Sequence, residues 1–312
     1  MKYDSLIDAE TWAYIREVGS LYPEDAVERD IAGQREIYDR MAAHFHQGYP
    51  EGVETEDLTV DGVTMRVYTA GAPVGTVLFF HGGGFVVGGL ESHDDVCAEF
   101  CAQTGNRVIS VDYRLAPEHK HPAAYDDAMA ALTWACKTFP DDDIVLVGDS
   151  AGGNLAAAVA HGTRCKGFRI VGQVLIYPGL GGDRSLPSYT DHAQAPMLTR
   201  DEVQFYENIR LSDGQDVRGD PSYAPLWDTN YKSLPPTAIF TADCDPLRDD
   251  ALQYRDRLRA AGVPVYWKNE DGLVHSFLRA RNMSARAHAA FERIVLAIEA
   301  LGQGIWPYDE DE

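Results

Sequence analysis

Residues Gly148-Asp149-Ser150-Ala151-Gly152 set a serine between two glycines in the pattern G-x-S-x-G. A serine hydroxyl is a weak nucleophile and attacks a carbonyl only when a base takes its proton. The pattern serves that chemistry through a tight turn that pushes the hydroxyl out of a sheet, with small residues where side chains would clash. Such a turn needs a strand before it and a helix after it. The apolar run 143–147 and the alanine-rich run 151–161 supply both. The bland alternative is a glycine-rich turn whose serine merely caps a helix.

A second run, His81-Gly82-Gly83-Gly84-Phe85, follows the strand-like stretch 76–80. With 28 glycines and 10 histidines in 312 residues, chance supplies fewer than about 0.01 such runs, so this one calls for an explanation. Glycines after a strand let main-chain N–H groups approach a ligand closely. In acyl transfer those groups hold the oxyanion of the tetrahedral intermediate. A phosphate loop fits less well. Val87 stands where G-x-G-x-x-G needs its last glycine, and no G-x-x-x-x-G-K-[ST] occurs.

The serine needs a base, and the base needs an orienting acid, in the chain order Ser, Asp or Glu, His. His275 lies in the run 271–277, just after the last strand-like segment, where such sheets place their sites. His192 falls in an irregular stretch and His288 in an amphipathic helix. The other seven histidines break the order or sit in the wrong segment. Candidate acids cluster after the strand-like run 237–241: Asp243, Asp245, Asp249 and Asp250. Asp245 precedes Pro246, which suits the first position of a helix, so it also reads as a cap. Asp249 and Asp250 fall in that helix's first turn, where they favour its dipole. Spacing leaves Asp243 and Asp245 both open.

The elements that must hold these residues are legible as alternation. Strands are predicted at 57–60, 65–69, 76–80, 107–112, 143–147, 170–177, 237–241 and 264–268. Helices are predicted at 94–103, 123–138, 151–161, 247–261 and 285–301. Strand-helix alternation implies an α/β fold with a mostly parallel sheet covered on both faces. Two helices open the chain. One holds Leu6, Trp12, Ile15 and Val18 behind an Asp4 or Ser5 cap; the other runs along Val27, Ile31, Gln34, Tyr38, Met41 and Phe45. Residues 179–233 break the alternation, with one plausible helix at 201–209, and read as an insertion. The expected division is a helical cap segment, 1–48, and a catalytic domain, 49–312, with 179–233 contributing to the cap.

Composition narrows the partners. Asp and Glu number 49 against 27 Lys and Arg, a net charge of −22. Nucleic-acid binding and docking on anionic membranes are both disfavoured. The longest stretch free of charged residues, 67–90, holds seven glycines and a proline and does not read as a membrane helix. An N-terminus without an apolar core and an odd count of five cysteines point to free thiols in a cytoplasmic protein. Cys97 and Cys101 read as a half-buried pair on a helix rather than metal ligands. The run Asp309-Glu310-Asp311-Glu312 reads as a solvated tail.

Together with Asp112-Tyr113-Arg114-Leu115-Ala116-Pro117-Glu118, Asp245-Pro246-Leu247-Arg248-Asp249 and His275-Ser276-Phe277, the two glycine motifs resemble the bacterial hormone-sensitive lipase family of α/β-hydrolases. Within that family the likeness is to acetyl esterases of the enterobacterial type, and it covers nearly the whole chain. The resemblance implies an eight-stranded sheet under a helical cap. It assigns the nucleophile to Ser150, the base to His275 and the acid to Asp245. It implies oxyanion donors at Gly83, Gly84 and Ala151, with Gly82 a less certain neighbour. Asp149 reads as a hydrogen-bonding support, and Arg114 and Glu118 as scaffold for the oxyanion loop.

The implied reaction is hydrolysis of short-chain, acetyl-type esters through an acyl-enzyme, without metal or organic cofactor. Its partner is a small-molecule ester. An amidase or formamidase on the same triad is an alternative. A ligand-binding member, like the plant gibberellin receptors that lack the catalytic histidine, is another; here His275 is present. Phe85, Leu198, Tyr206, Val274, Phe277 and Leu278 are candidates to line the pocket. An exposed edge at 264–268 leaves monomer and homodimer both open.

Overall fold

Successive residues of the central strands point to opposite faces of one sheet, and both faces are covered. Val77 and Phe79 enter one core cluster while Leu78 and Phe80 enter the other. Val145 and Val147 separate from Ile144 and Leu146 in the same way. The computed structural model describes residues 2–308, the side chain of Val27 aside. The acidic run 309–312 lies outside the described residues.

Eight strands form the sheet: β1 (Glu54–Val60), β2 (Val63–Thr69), β3 (Thr76–Phe80), β4 (Arg107–Asp112), β5 (Ile144–Asp149), β6 (Ile170–Ile176), β7 (Thr237–Cys244) and β8 (Val265–Val274). Their spatial order is β1-β2-β4-β3-β5-β6-β7-β8. β2 runs antiparallel to both β1 and β4; every other pairing is parallel. Crossover helices therefore fall on both sides, as parallel pairing requires. One face carries α3 (Asp94–Thr104) and α9 (Ala285–Gly302); the other carries α4 (Ala123–Thr138), α5 (Ala151–Thr163) and α8 (Arg248–Ala260).

β8 runs six residues beyond the predicted end, to Val274, and its pairing with β7 carries a bulge between Ala242 and Cys244. The polar run Lys268-Asn269-Glu270-Asp271 looks like a loop in sequence, but the ladder continues through it. At that edge the Tyr308 ring stacks on Tyr266, their centroids 3.7 Å apart.

The N-terminal helices are α1 (Ala9–Leu21) and α2 (Ile31–Phe45). Asp8 caps α1 by accepting from the Thr11 N–H, so neither Asp4 nor Ser5 holds that place. Val27 falls in a separate 3-10 turn, Ala26–Glu28, and Asp30 caps α2. The insertion holds two helices, α6 (Pro187–Asp191) and α7 (Arg200–Ile209). Thr199 and Glu202 close a capping box at the start of α7. Cys97 and Cys101 are buried outright rather than half-buried, and all five cysteines are free. Among the described residues no helix is long and apolar enough to cross a membrane.

Candidate active site

Strand β5 ends at Asp149 and α5 begins at Ala151, so Ser150 is the whole of the turn between them. Its backbone sits at φ 54°, ψ −115°, a region a residue with a Cβ rarely occupies. Such a conformation costs about 1–3 kcal/mol and persists only where the surroundings enforce it. Here the Ser150 N–H donates to the Ile176 carbonyl at 2.9 Å. The flanking glycines follow from the same turn. A Cβ on Gly152 would overlap the Phe80 carbonyl, and one on Gly148 would overlap the Gly152 carbonyl.

The turn presents Ser150 Oγ 2.8 Å from His275 Nε2. His275 follows the last residue of β8, and its Nδ1 lies 2.6 Å from Asp245 Oδ2. Asp245 is 1% exposed and its other oxygen accepts the Leu247 N–H at 2.8 Å, which fixes the carboxylate plane. Pro246 is not the first helical residue; α8 starts at Arg248 with Leu247 in the cap position. The rival, Asp243, points elsewhere: it accepts from Asn269 Nδ2 at 2.9 Å and from the Gly272 N–H at 3.3 Å. Asp249 accepts from the Ser188 N–H at 2.9 Å, tying α8 to the insertion.

The glycine run turns back over Ser150. Gly83 and Gly84 have φ of 124° and 62°, which a side chain would resist. Among the described residues no acceptor takes the N–H of Gly83, Gly84 or Ala151. Gly82 differs. Its N–H donates to Asp149 Oδ1 at 2.7 Å and so is engaged within the protein. Asp149 also accepts from Tyr177 at 3.3 Å and lies 3.3 Å from His93 Nε2. Burial opposes its ionisation, yet His93, Arg279 and the Gly82 N–H hold its pKa below the usual carboxylate value. His81 is fully buried, stacked 4.3 Å from the Tyr113 ring, and burial lowers its pKa to about 4. It is a neutral packing residue.

The N-terminal helices reach both halves of this arrangement. Arg35 on α2 donates to the Val86 carbonyl at 2.8 Å and to Glu118 at 2.7 Å, so Glu118 is tied to the glycine loop through Arg35. Arg114 does not take part; it is turned toward Asp127 on α4. Tyr14 on α1 donates to the Ser276 carbonyl at 3.1 Å, beside His275. Tyr38 on α2 accepts from the buried Arg279 at 2.9 Å. None of these long-range pairs carries a sequence signature.

A cavity of about 440 Å³ lies over Ser150, His275, Gly83 and Gly84. Apolar residues from α1, α2 and α7 line it, among them Ile15, Val18, Met41 and Val203. Of the residues expected there, Phe85, Leu198, Tyr206 and Leu278 line it. Val274 and Phe277 instead belong to the core beneath the sheet. Asp250, also at the wall, is fully buried and accepts from the Leu180 and Gly182 N–H groups and from Tyr189, at 2.9, 3.0 and 3.0 Å.

Burial is the main cause that raises the Asp250 pKa to about 7. Because the folded value exceeds the unfolded one, the stability gained from the protonated form is complete below the ordinary carboxyl range. It is lost as pH rises to about 7. Asp250→Asn keeps a neutral acceptor for both N–H groups. Its melting temperature is expected to exceed that of the parent at about pH 8, by at most roughly 4 kcal/mol of stability, and to match it near pH 4. An equal difference at both pH values would contradict this account.

A serine, an imidazole and a carboxylate in hydrogen-bonded series, beside unoccupied N–H donors, form an arrangement competent for acyl transfer. Comparison with known proteins agrees. Residues 77–279 match the family model described as the α/β-hydrolase fold. The chain belongs to that family. Esterase LipI of Mycobacterium tuberculosis is 39% identical in an alignment that covers 82% of this chain and 84% of LipI. An ethyl acetate hydrolase of Pseudomonas putida is 31% identical, covering 92% of this chain and 94% of its own. A solved esterase of the bacterial hormone-sensitive lipase family superposes with a TM-score of 0.84 at 26% identity, over 94% of this chain and 98% of that one. This α/β-hydrolase is thus a carboxylic ester hydrolase of the hormone-sensitive lipase type.

Proposed function

We propose that this hydrolase cleaves short-chain, acetyl-type esters of small alcohols through a covalent acyl-enzyme. The observation that carries the reading is the unbroken series Ser150 Oγ, His275 Nε2, His275 Nδ1 and Asp245 Oδ2, with links of 2.8 and 2.6 Å at the floor of a cavity. His275 takes the Ser150 proton as Oγ attacks the ester carbonyl. The carbonyl oxygen becomes an oxyanion between the N–H groups of Gly83, Gly84 and Ala151, each worth roughly 3–4 kcal/mol to the transition state. His275 returns the proton to the departing alcohol, leaving Ser150 acylated. Water, activated by the same base, then releases the acid and restores the serine. Asp245 keeps Nδ1 protonated and Nε2 free to accept.

The N-terminal helices and the insertion 179–233 act as the cap that keeps the acyl group out of water. Support for short chains comes from the ethyl acetate hydrolase among the relatives and from the likeness to acetyl esterases. Rates on p-nitrophenyl esters from acetyl to dodecanoyl test it. The expected maximum lies at hexanoyl or shorter; a maximum at decanoyl or beyond would overturn the short-chain assignment. The matching acetyl amides, run in parallel, should be turned over far more slowly.

A further inference from the structure

Every acid lining the cavity has a hydrogen-bond donor. Asp95 pairs with Arg281 at 2.6 Å, Asp149 holds Gly82, and Glu202 caps α7 from Thr199. Glu207 pairs with Arg184, and Asp250 has its three donors. Arg279 likewise donates to Tyr38 and to the Ser92 carbonyl. Arg210, at the end of α7, is the exception. It lines the same cavity and is 8% exposed, yet among the described residues its guanidinium makes neither ion pair nor hydrogen bond.

What surrounds it is aromatic. The guanidinium carbon lies 3.5 Å from the centre of the Phe85 ring and 4.5 Å from that of Tyr223. Ring faces attract the cation but accept none of its five N–H bonds. Among the described residues the two rings leave the guanidinium N–H groups without an acceptor, and a guanidinium receives a carboxylate through two parallel bonds. Phe85 directly follows Gly83 and Gly84, and the cation lines the same cavity as Ser150 and His275. The nearest acids are already engaged: Glu207 by Arg184, and Asp220 by Ser222 and His121. Burial lowers the Arg210 pKa to about 10, so it remains a cation at neutral pH. A buried charge without a counter-charge is unfavourable unless something else supplies one.

We propose that Arg210 is a specificity residue that binds a carboxylate carried by the ester substrate. The substrate class is then a half-ester of a dicarboxylic acid or an acyl ester of a small hydroxy acid. This rests on the esterase reading of the same cavity.

Two isosteric pairs test it, with acid release followed by titration at about 0.15 M salt, where the field of the acidic surface is screened beyond about 8 Å. On the acyl side, monoethyl succinate is set against ethyl isocaproate. On the alcohol side, acetoxyacetate is set against isobutyl acetate. In at least one pair the anionic ester is expected to show a kcat/KM about tenfold or more above its neutral isostere, the range of a charge-assisted hydrogen bond. That pair says which side carries the charge. Arg210→Met should erase the ratio and Arg210→Lys should keep part of it. Preference for the neutral ester in both pairs, or a ratio that survives Arg210→Met, would overturn the proposal and leave the esterase reading intact. Calorimetric titration with succinate decides the subsite independently of turnover. Binding to the parent that Arg210→Met removes, or Arg210→Lys weakens if the methionine variant does not fold, supports it. No binding to the parent overturns it. If no ester is cleaved at all, the esterase reading fails while the succinate titration still decides the subsite.

Discussion

Ser150→Ala is expected to lower kcat on p-nitrophenyl acetate by about a million-fold, close to the loss seen when a triad serine is removed elsewhere. The magnitude follows from what is deleted. Without Oγ there is no acyl-enzyme, and only the oxyanion donors and the cavity walls remain to favour attack by water. Folding should survive. The serine makes its one side-chain hydrogen bond to His275, and its strained backbone is held by the Ile176 carbonyl and by the close approach of Gly152 to Phe80, which alanine leaves in place. The expected melting temperature is therefore equal to or above that of the parent, since removing strain or polarity at an active site commonly stabilises a fold. Retention of most of the rate would remove Ser150 as the nucleophile.

The serine turn was legible in the sequence because its demands are local. Two glycines, a preceding apolar strand and a following alanine-rich helix lie within twenty residues, and each has a steric reason visible at that range. The glycine run over the site was legible for the same reason, though not in detail. Three identical residues could not reveal that the Gly82 N–H is taken by Asp149, because that bond joins positions 67 apart in the chain. β8 extends past the predicted 264–268 because polar residues continue a strand that pairs on only one side, where burial leaves no alternating pattern in the sequence. Arg210 was invisible altogether. Its interest lies in having no hydrogen-bond or ion-pair partner among the described residues, which only the packing of the insertion against the Phe85 loop shows.

The N-terminal helices show how far function depends on such distant contacts. Arg35 holds the Val86 carbonyl and Tyr14 holds the Ser276 carbonyl, so one segment braces both the oxyanion loop and the turn carrying His275. A single element contacting both halves of the site resists their relative movement. Acyl transfer gains most from that rigidity, because oxyanion donors act only when already aimed.

The choice between Asp243 and Asp245, which spacing left open, is expected to separate sharply in kinetics. Asp245→Asn should lower kcat by about 10⁴-fold. The amide oxygen keeps the Leu247 N–H, so the amide nitrogen faces His275 Nδ1, 2.6 Å away, and donates to it. The imidazole proton is then forced onto Nε2, pointing at Ser150 Oγ, and the base cannot accept. About 10⁴ in rate corresponds to about 5.4 kcal/mol of barrier, far more than one lost neutral hydrogen bond. Asp243→Asn keeps an acceptor for Asn269 or Gly272 and touches neither His275 nor Ser150. Its expected cost is about 1 kcal/mol of stability, with kcat within tenfold of the parent. Measuring kcat and melting temperature for both variants separates the roles. A loss in kcat for Asp243→Asn equal to that for Asp245→Asn would show that the acid's contribution is to position the β7–β8 end as a whole rather than to set the histidine tautomer.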